Sequence, residues 1–134
     1  MSGGLRLLAV EDQPANVALL KALMRRSSNP ELREADLSVA STVAEGRRLL
    51  ASGGYDVVLL DLRLPDGSGL DLAREFGSRL PGTRILVVTA NAMPGDEAAA
   101  LAAGAHAFMS KPYDPATLAT KVLELAGVRT SRKP

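Results

Sequence analysis

The stretch Tyr55-Asp56-Val57-Val58-Leu59-Leu60-Asp61-Leu62-Arg63-Leu64-Pro65-Asp66-Gly67 decides how this chain folds. Val57 to Leu60 are four consecutive apolar residues with no polar alternation, preceded by the break Gly53-Gly54 and followed by turn residues. A short run of that kind is buried on both faces, as a strand is inside a parallel sheet. It ends on Asp61, and a carboxylate that follows four buried residues needs a partner to offset its lost hydration.

Working outward, the same unit recurs: an apolar run of strand length, then a stretch of helical period. Leu5 to Val10 ends at Glu11-Asp12, and Pro14 opens a helix with Val17, Leu20 and Met24 on one face. Leu37 to Ala40 reads as a second strand, and Thr42 with Glu45 forms a capping box before the helix of Leu49 and Leu50. After the central strand, Ser68 caps a third helix through Leu72 and Phe76 that Gly77 closes. Ile85 to Val88 ends at Thr89, and Ala98 to Ala103 is a fourth helix, stopped by Gly104. A fifth strand near Ala107 to Met109 leads to Lys111, and Asp114-Pro115 opens a last helix with Leu118, Val122 and Leu125 inward.

Strict β/α alternation implies parallel strands joined by right-handed crossovers, in three layers. Five units in 134 residues favour a flavodoxin-like (βα)5 sandwich of order 2-1-3-4-5 over a longer Rossmann sheet. The expected organisation is one domain over residues 5–127, with short tails at 1–4 and 128–134.

The net charge of +1 gives no bulk field for nucleic acid or a membrane surface, and no segment has the apolar length of a membrane span. The absence of cysteine removes disulfides, thiolate metal sites and cysteine nucleophiles, and fits a reducing cytoplasm.

Four of the five strands end on polar residues: Glu11-Asp12, Asp61, Thr89 and Lys111. In an open α/β sheet those ends share one crevice, and order 2-1-3-4-5 makes the first and third strands neighbours at the switch point. Three carboxylates meeting there repel one another unless a cation joins them. Hard oxygen donors with room for water suit Mg²⁺ better than Zn²⁺ or a closed Ca²⁺ site. Lys111 adds a fixed positive charge and Thr89 a hydroxyl donor, so the pocket fits a phosphoryl group. A carboxylate nucleophile in such a pocket yields an aspartyl phosphate.

The motifs Val10-Glu11-Asp12 with Asn16, Leu60-Asp61 through Gly67, Val88-Thr89-Ala90 and Ser110-Lys111-Pro112 each follow their own strand, in order. Together they resemble the receiver domain of two-component response regulators, from Leu5 to Leu125. The resemblance implies Asp61 as phosphoacceptor, with Glu11, Asp12, Asp61 and the backbone carbonyl of Arg63 holding Mg²⁺, and Thr89 and Lys111 contacting the phosphoryl group. Thr89 and Phe108 take the family's switch positions, the latter usually Tyr or Phe, and Phe108 lacks the hydroxyl that a tyrosine would carry. Pro112 matches a proline whose preceding bond is characteristically cis. Arg63 and Asn91 occupy positions that tune phosphoryl lifetime. The implied upstream partner is a sensor histidine kinase or a histidine phosphotransfer protein, since His106 is the chain's one histidine. The downstream partner is a protein docking on, or a second copy pairing through, the face of the fourth helix, fifth strand and fifth helix. Such a domain is cytoplasmic and a self-modifying switch more than a multiple-turnover enzyme.

Simpler roles exist for each residue alone. Glu11 and Asp12 suit a helix N-terminus, Asp61 a turn, Thr89 a strand, Lys111 a solvated position, Phe108 the core. His106 reads as a surface or strand-edge residue, Asp56 lies at the opposite end of its strand, and Asp66 reads as a loop residue. Their ordered recurrence at strand ends favours the shared site. The alternatives for the whole chain are a docking domain independent of phosphorylation, a dehalogenase-like phosphatase, and a flavodoxin. The phosphatase wants a D-x-D pair that is missing, and the acids after the first strand would repel a flavin phosphate.

Overall fold

In the computed structural model, which describes residues 4–128, the apolar runs become the strands of one parallel sheet. The elements are β1 (Arg6–Val10), α1 (Pro14–Arg25), α2 (Pro30–Arg33), β2 (Asp36–Ala40), α3 (Val43–Ser52), β3 (Val57–Leu60), β4 (Arg63–Leu64), β5 (Gly67–Ser68), α4 (Leu70–Phe76), β6 (Arg84–Thr89), α5 (Asp96–Ala103), β7 (Ala107–Ser110) and α6 (Pro115–Leu125). The five-stranded sheet has the order β2-β1-β3-β6-β7, which is the expected flavodoxin-like 2-1-3-4-5 once the two short strands are set aside. Apart from Gly4 and Val128, the expected tails lie outside the described residues; the Val128 amide donates to the Leu123 carbonyl at 2.9 Å.

Alternate residues of the central strands point to opposite faces, as the pleat requires. Leu8, Val10, Val58, Leu60, Ile85 and Val87 form one core with Leu50, Leu72, Phe76 and Ala100 from α3, α4 and α5. Leu7, Ala9, Val57, Leu59, Leu86 and Val88 form the other with Leu20, Met24, Leu118 and Val122 from α1 and α6. The central strands are therefore apolar at successive positions because each face has its own helical layer.

Two small elements depart from the sequence-based expectation. A single turn, α2, precedes β2, with Asn29 Oδ1 accepting the Glu31 amide at 2.8 Å and Pro30 in its first position. The segment after Asp61 folds into an antiparallel hairpin in which β4 pairs with β5. Ser68 also takes a different place: its Oγ accepts the Leu70 amide at 3.1 Å, while Gly69 is the N-cap of α4. Thr42 and Asp114 cap α3 and α6 as read from sequence, accepting the Glu45 and Thr117 amides at 3.0 Å each.

Helices α4 and α5 come into close backbone contact at their C-terminal ends. A Cβ on Gly77 would lie 2.8 Å from the Gly104 carbonyl oxygen, and one on Gly104 would lie 2.9 Å from the Ala73 carbonyl oxygen. Only a residue without a side chain permits that approach.

His106 closes the start of the β6–β7 pairing. Its amide donates to the Ile85 carbonyl at 2.8 Å, and its Nδ1 accepts the Ile85 amide at 2.9 Å. Desolvation, then the charge of Arg84, holds the imidazole below its ordinary pKa of 6.5. The unfolded chain thus binds the proton more readily, and this contribution to stability is present above about pH 6.5 and is lost as pH falls through the lowered folded value. Urea unfolding between about pH 7.5 and about pH 5 should show a larger loss for the wild type than for His106→Asn, whose amide oxygen accepts the same bond without titrating. Equal losses would show that this imidazole does not contribute.

Candidate functional site

Register brings the expected residues together. Val10 stands opposite Leu60 in the β1–β3 pair, so Glu11-Asp12 and Asp61 leave the sheet side by side. The Asp61 amide still donates to the Val10 carbonyl at 3.1 Å, which fixes the start of its loop. Thr89 ends β6 opposite Ser110, and the Lys111 amide donates to the Thr89 carbonyl at 2.9 Å. One carboxylate oxygen from each of Glu11, Asp12 and Asp61 lies within 4.8 Å of the others.

Asp61 is 9% exposed, and three groups surround it. Oδ1 accepts the Arg63 amide and the Thr89 hydroxyl, both at 3.1 Å, and Oδ2 accepts Lys111 Nζ at 3.3 Å. Lys111 Nζ also donates to Glu11 Oε1 at 2.6 Å. The other Glu11 oxygen accepts the Gln13 amide at 3.0 Å and Asn16 Nδ2 at 3.3 Å, which gives Asn16 a place in the site. Desolvation alone would lower the Lys111 pKa, but the Glu11 hydrogen bond and the Asp61 and Glu11 charges outweigh it, and the net direction is upward. The ammonium stays charged.

Three carboxylates against one ammonium leave the notch negative. Its donors are all oxygens, from two adjacent strand ends, with no sulfur or imidazole among them. That set fits a small hard cation that keeps part of its water shell, which is the coordination habit of Mg²⁺.

The remaining expected residues do not join the carboxylates. Phe108 on β7 is half-buried and packs against the α3–α4–α5 core. The Lys111–Pro112 bond is cis. Asp56 accepts the Arg6 amide at 2.9 Å at the opposite end of the sheet. Asp66 points away: its oxygens accept the Val43 and Ala44 amides at 2.7 and 3.1 Å. The Val43 bond is the main reason its carboxyl lies below the ordinary range.

Gly69 was not singled out in the sequence. Its φ of −61° suits any residue, yet a Cβ there would overlap the Asp61 carbonyl oxygen. The start of α4 presses directly on the backbone that carries the central carboxylate. Since the dihedral is ordinary, only the packing shows the constraint.

The chain matches the family model described as response regulator receiver domain over residues 7–123. It is 38% identical over 109 residues to the response regulator protein PilR of Pseudomonas aeruginosa, covering 81% of this chain and 23% of that one. The chain spans between 15% and 55% of the lengths of curated relatives that it matches. A CheY-like response regulator receiver domain from Methanospirillum hungatei superposes with a TM-score of 0.82 at 27% identity, covering 93% and 95% of the two chains. The receiver domain of the sensor histidine kinase PA1611 from Pseudomonas aeruginosa superposes with a TM-score of 0.78 at 28% identity, covering 93% and 99%; that protein carries a magnesium ion in its active-site cleft. Among the described residues no helix is long and apolar enough to cross a membrane.

Two outcomes test this geometry without any ligand. Gly69→Ala should cost about 1–3 kcal/mol in urea unfolding, because backbone must move to admit the methyl group. Asp12→Asn should stabilise the metal-free protein by about 1 kcal/mol by removing one of the crowded charges. A destabilised Asp12→Asn protein would show that repulsion does not govern the notch.

Proposed function

We propose, from the premise that this chain belongs to the response regulator receiver domain family, that it accepts a phosphoryl group on Asp61 from a phosphohistidine of a sensor kinase or phosphotransfer protein. The observation that carries this is the buried Asp61 carboxylate at the meeting point of Glu11, Asp12, Thr89 and Lys111. An Asp61 oxygen forms the new O–P bond as the donor's N–P bond breaks, leaving the donor imidazole and an aspartyl phosphate.

Glu11, Asp12, Asp61 and the Arg63 carbonyl would hold Mg²⁺, which neutralises charge on the transferring group when bound. The protein's part is positioning. Asp61 is held by the Arg63 amide, and Lys111 is aimed between Glu11 and Asp61. A phosphoryl group adds about −1.5 to −2 charges, so Lys111 and the Thr89 hydroxyl turn toward its oxygens. Thr89 leaving its present position gives Phe108 room to turn inward. The face of α5, β7 and α6 then changes for a protein target or for a second copy of the chain. With slow hydrolysis of its own phosphate, the domain acts as a resettable switch, and it would work in the cytoplasm beside its kinase.

Asp61→Asn should abolish labelling by radioactive acetyl phosphate with Mg²⁺, and chelation should abolish it in the wild type. Undiminished labelling of the variant would move the acceptor elsewhere; no labelling of the wild type would favour a docking domain that works without phosphorylation.

A further inference from the structure

The Arg63 side chain has no part in the steps above, yet it spans the rim of the pocket. From β4 its Nη1 lies 3.4 Å from Thr89 Oγ1, and its Nη2 lies 3.0 Å from Asp96 Oδ2 at the start of α5. The same Asp96 oxygen accepts the Met93 amide at 2.7 Å. One carboxylate oxygen therefore joins the acid pocket's rim, the loop that follows Thr89, and the first turn of α5.

That loop has little else to hold it. Residues 90–95 are all exposed, and both Asn91 (φ 52°) and Gly95 (φ 90°) adopt left-handed backbone. The Met93 amide, then the Arg63 guanidinium, keeps the Asp96 carboxyl below the ordinary range. Half of the Arg63 side chain faces solvent. An ion pair so open contributes little net stability and is readily exchanged for a better one. A phosphoryl group on Asp61 would be such a partner. Its oxygens would enter beside Thr89, where the guanidinium already rests, and a guanidinium binds phosphate through two parallel N–H bonds.

We propose that Arg63 is a positioning residue that exchanges partners, leaving Asp96 for the phosphoryl oxygens when Asp61 is loaded and so untying the 90–95 loop and the first turn of α5 from the pocket. This rests on Asp61 as the phosphoacceptor and adds to it a coupling between the pocket and the start of α5. Arg63 then favours anion binding, and Asp96 opposes it by competing for the guanidinium, an effect that vanishes once Arg63 is removed.

The test is a double-mutant cycle with beryllofluoride and Mg²⁺ as the probe, titrated into the full chain while the Met93 amide is followed by NMR. Asp96→Asn keeps an acceptor for Met93 and removes the competing charge, so it should tighten beryllofluoride binding about two- to five-fold. Arg63→Gln should weaken binding about five- to ten-fold and suppress the Met93 shift on titration. Arg63→Lys, with the charge but without the planar fork, should fall between. In the Arg63→Gln background, Asp96→Asn should produce no further gain. A full gain there, or an undiminished Met93 shift in Arg63→Gln, overturns the exchange while leaving Asp61 in its role. Failure of the wild type to bind the probe overturns both.

Discussion

Mutual repulsion between carboxylates is the constraint on which this molecule turns. Glu11, Asp12 and Asp61 sit within a few ångströms of one another at the edge of a low-dielectric interior, where like charges separate unless something holds them. The parallel register of β1 and β3 sets two of the three on adjacent backbones, and those backbones are fixed by ladders buried on both faces. Lys111 answers the charge from the far side of the sheet, 50 residues from Asp61 in sequence. Its ammonium offsets part of the deficit and leaves the notch negative, which is the condition for taking up a small cation. The two hydrophobic layers thus do more than stabilise a sheet. They hold rigid a set of charges that would otherwise drift apart.

The sequence carried this arrangement plainly because four of the five strands lead directly into the polar residues of the site. Once the order of the strands is known, residues that end neighbouring strands must meet, and no side-chain detail is needed to see it. Helix caps at Thr42 and Asp114 were legible for a similar reason, since the amide that each accepts lies three residues away.

Features set by tertiary packing alone were not legible. Asp66 reads as a loop residue, and only the fold brings it to the start of α3, 23 residues away in sequence from the Val43 amide. Gly69 has ordinary dihedrals, so no turn rule marks it; the contact with the Asp61 carbonyl exists only because α4 starts against the end of β3. The family pattern drew attention to the Arg63 carbonyl and to the position's influence on phosphoryl lifetime, while its guanidinium spans to a carboxylate 33 residues on. The one-turn α2 and the β4–β5 hairpin are too short for a periodic signal. Each follows from neighbouring elements and not from its own composition.

The glycine contact between α4 and α5 has a mechanical corollary. Helix α5 is pinned where Gly104 lies against Gly77 and the Ala73 carbonyl, and its opposite end is moored through the Asp96 carboxylate. Were the Asp96 mooring released, the rod would be anchored at one extremity and would not slide; it would pivot. Eight residues give a lever of about 12 Å, so a swing of about 10° carries the free end roughly 2 Å, close to the span of one hydrogen bond. The pinned end would barely stir, and the displacement would grow toward Met93 and Asp96, on the side of the helix nearest the acids.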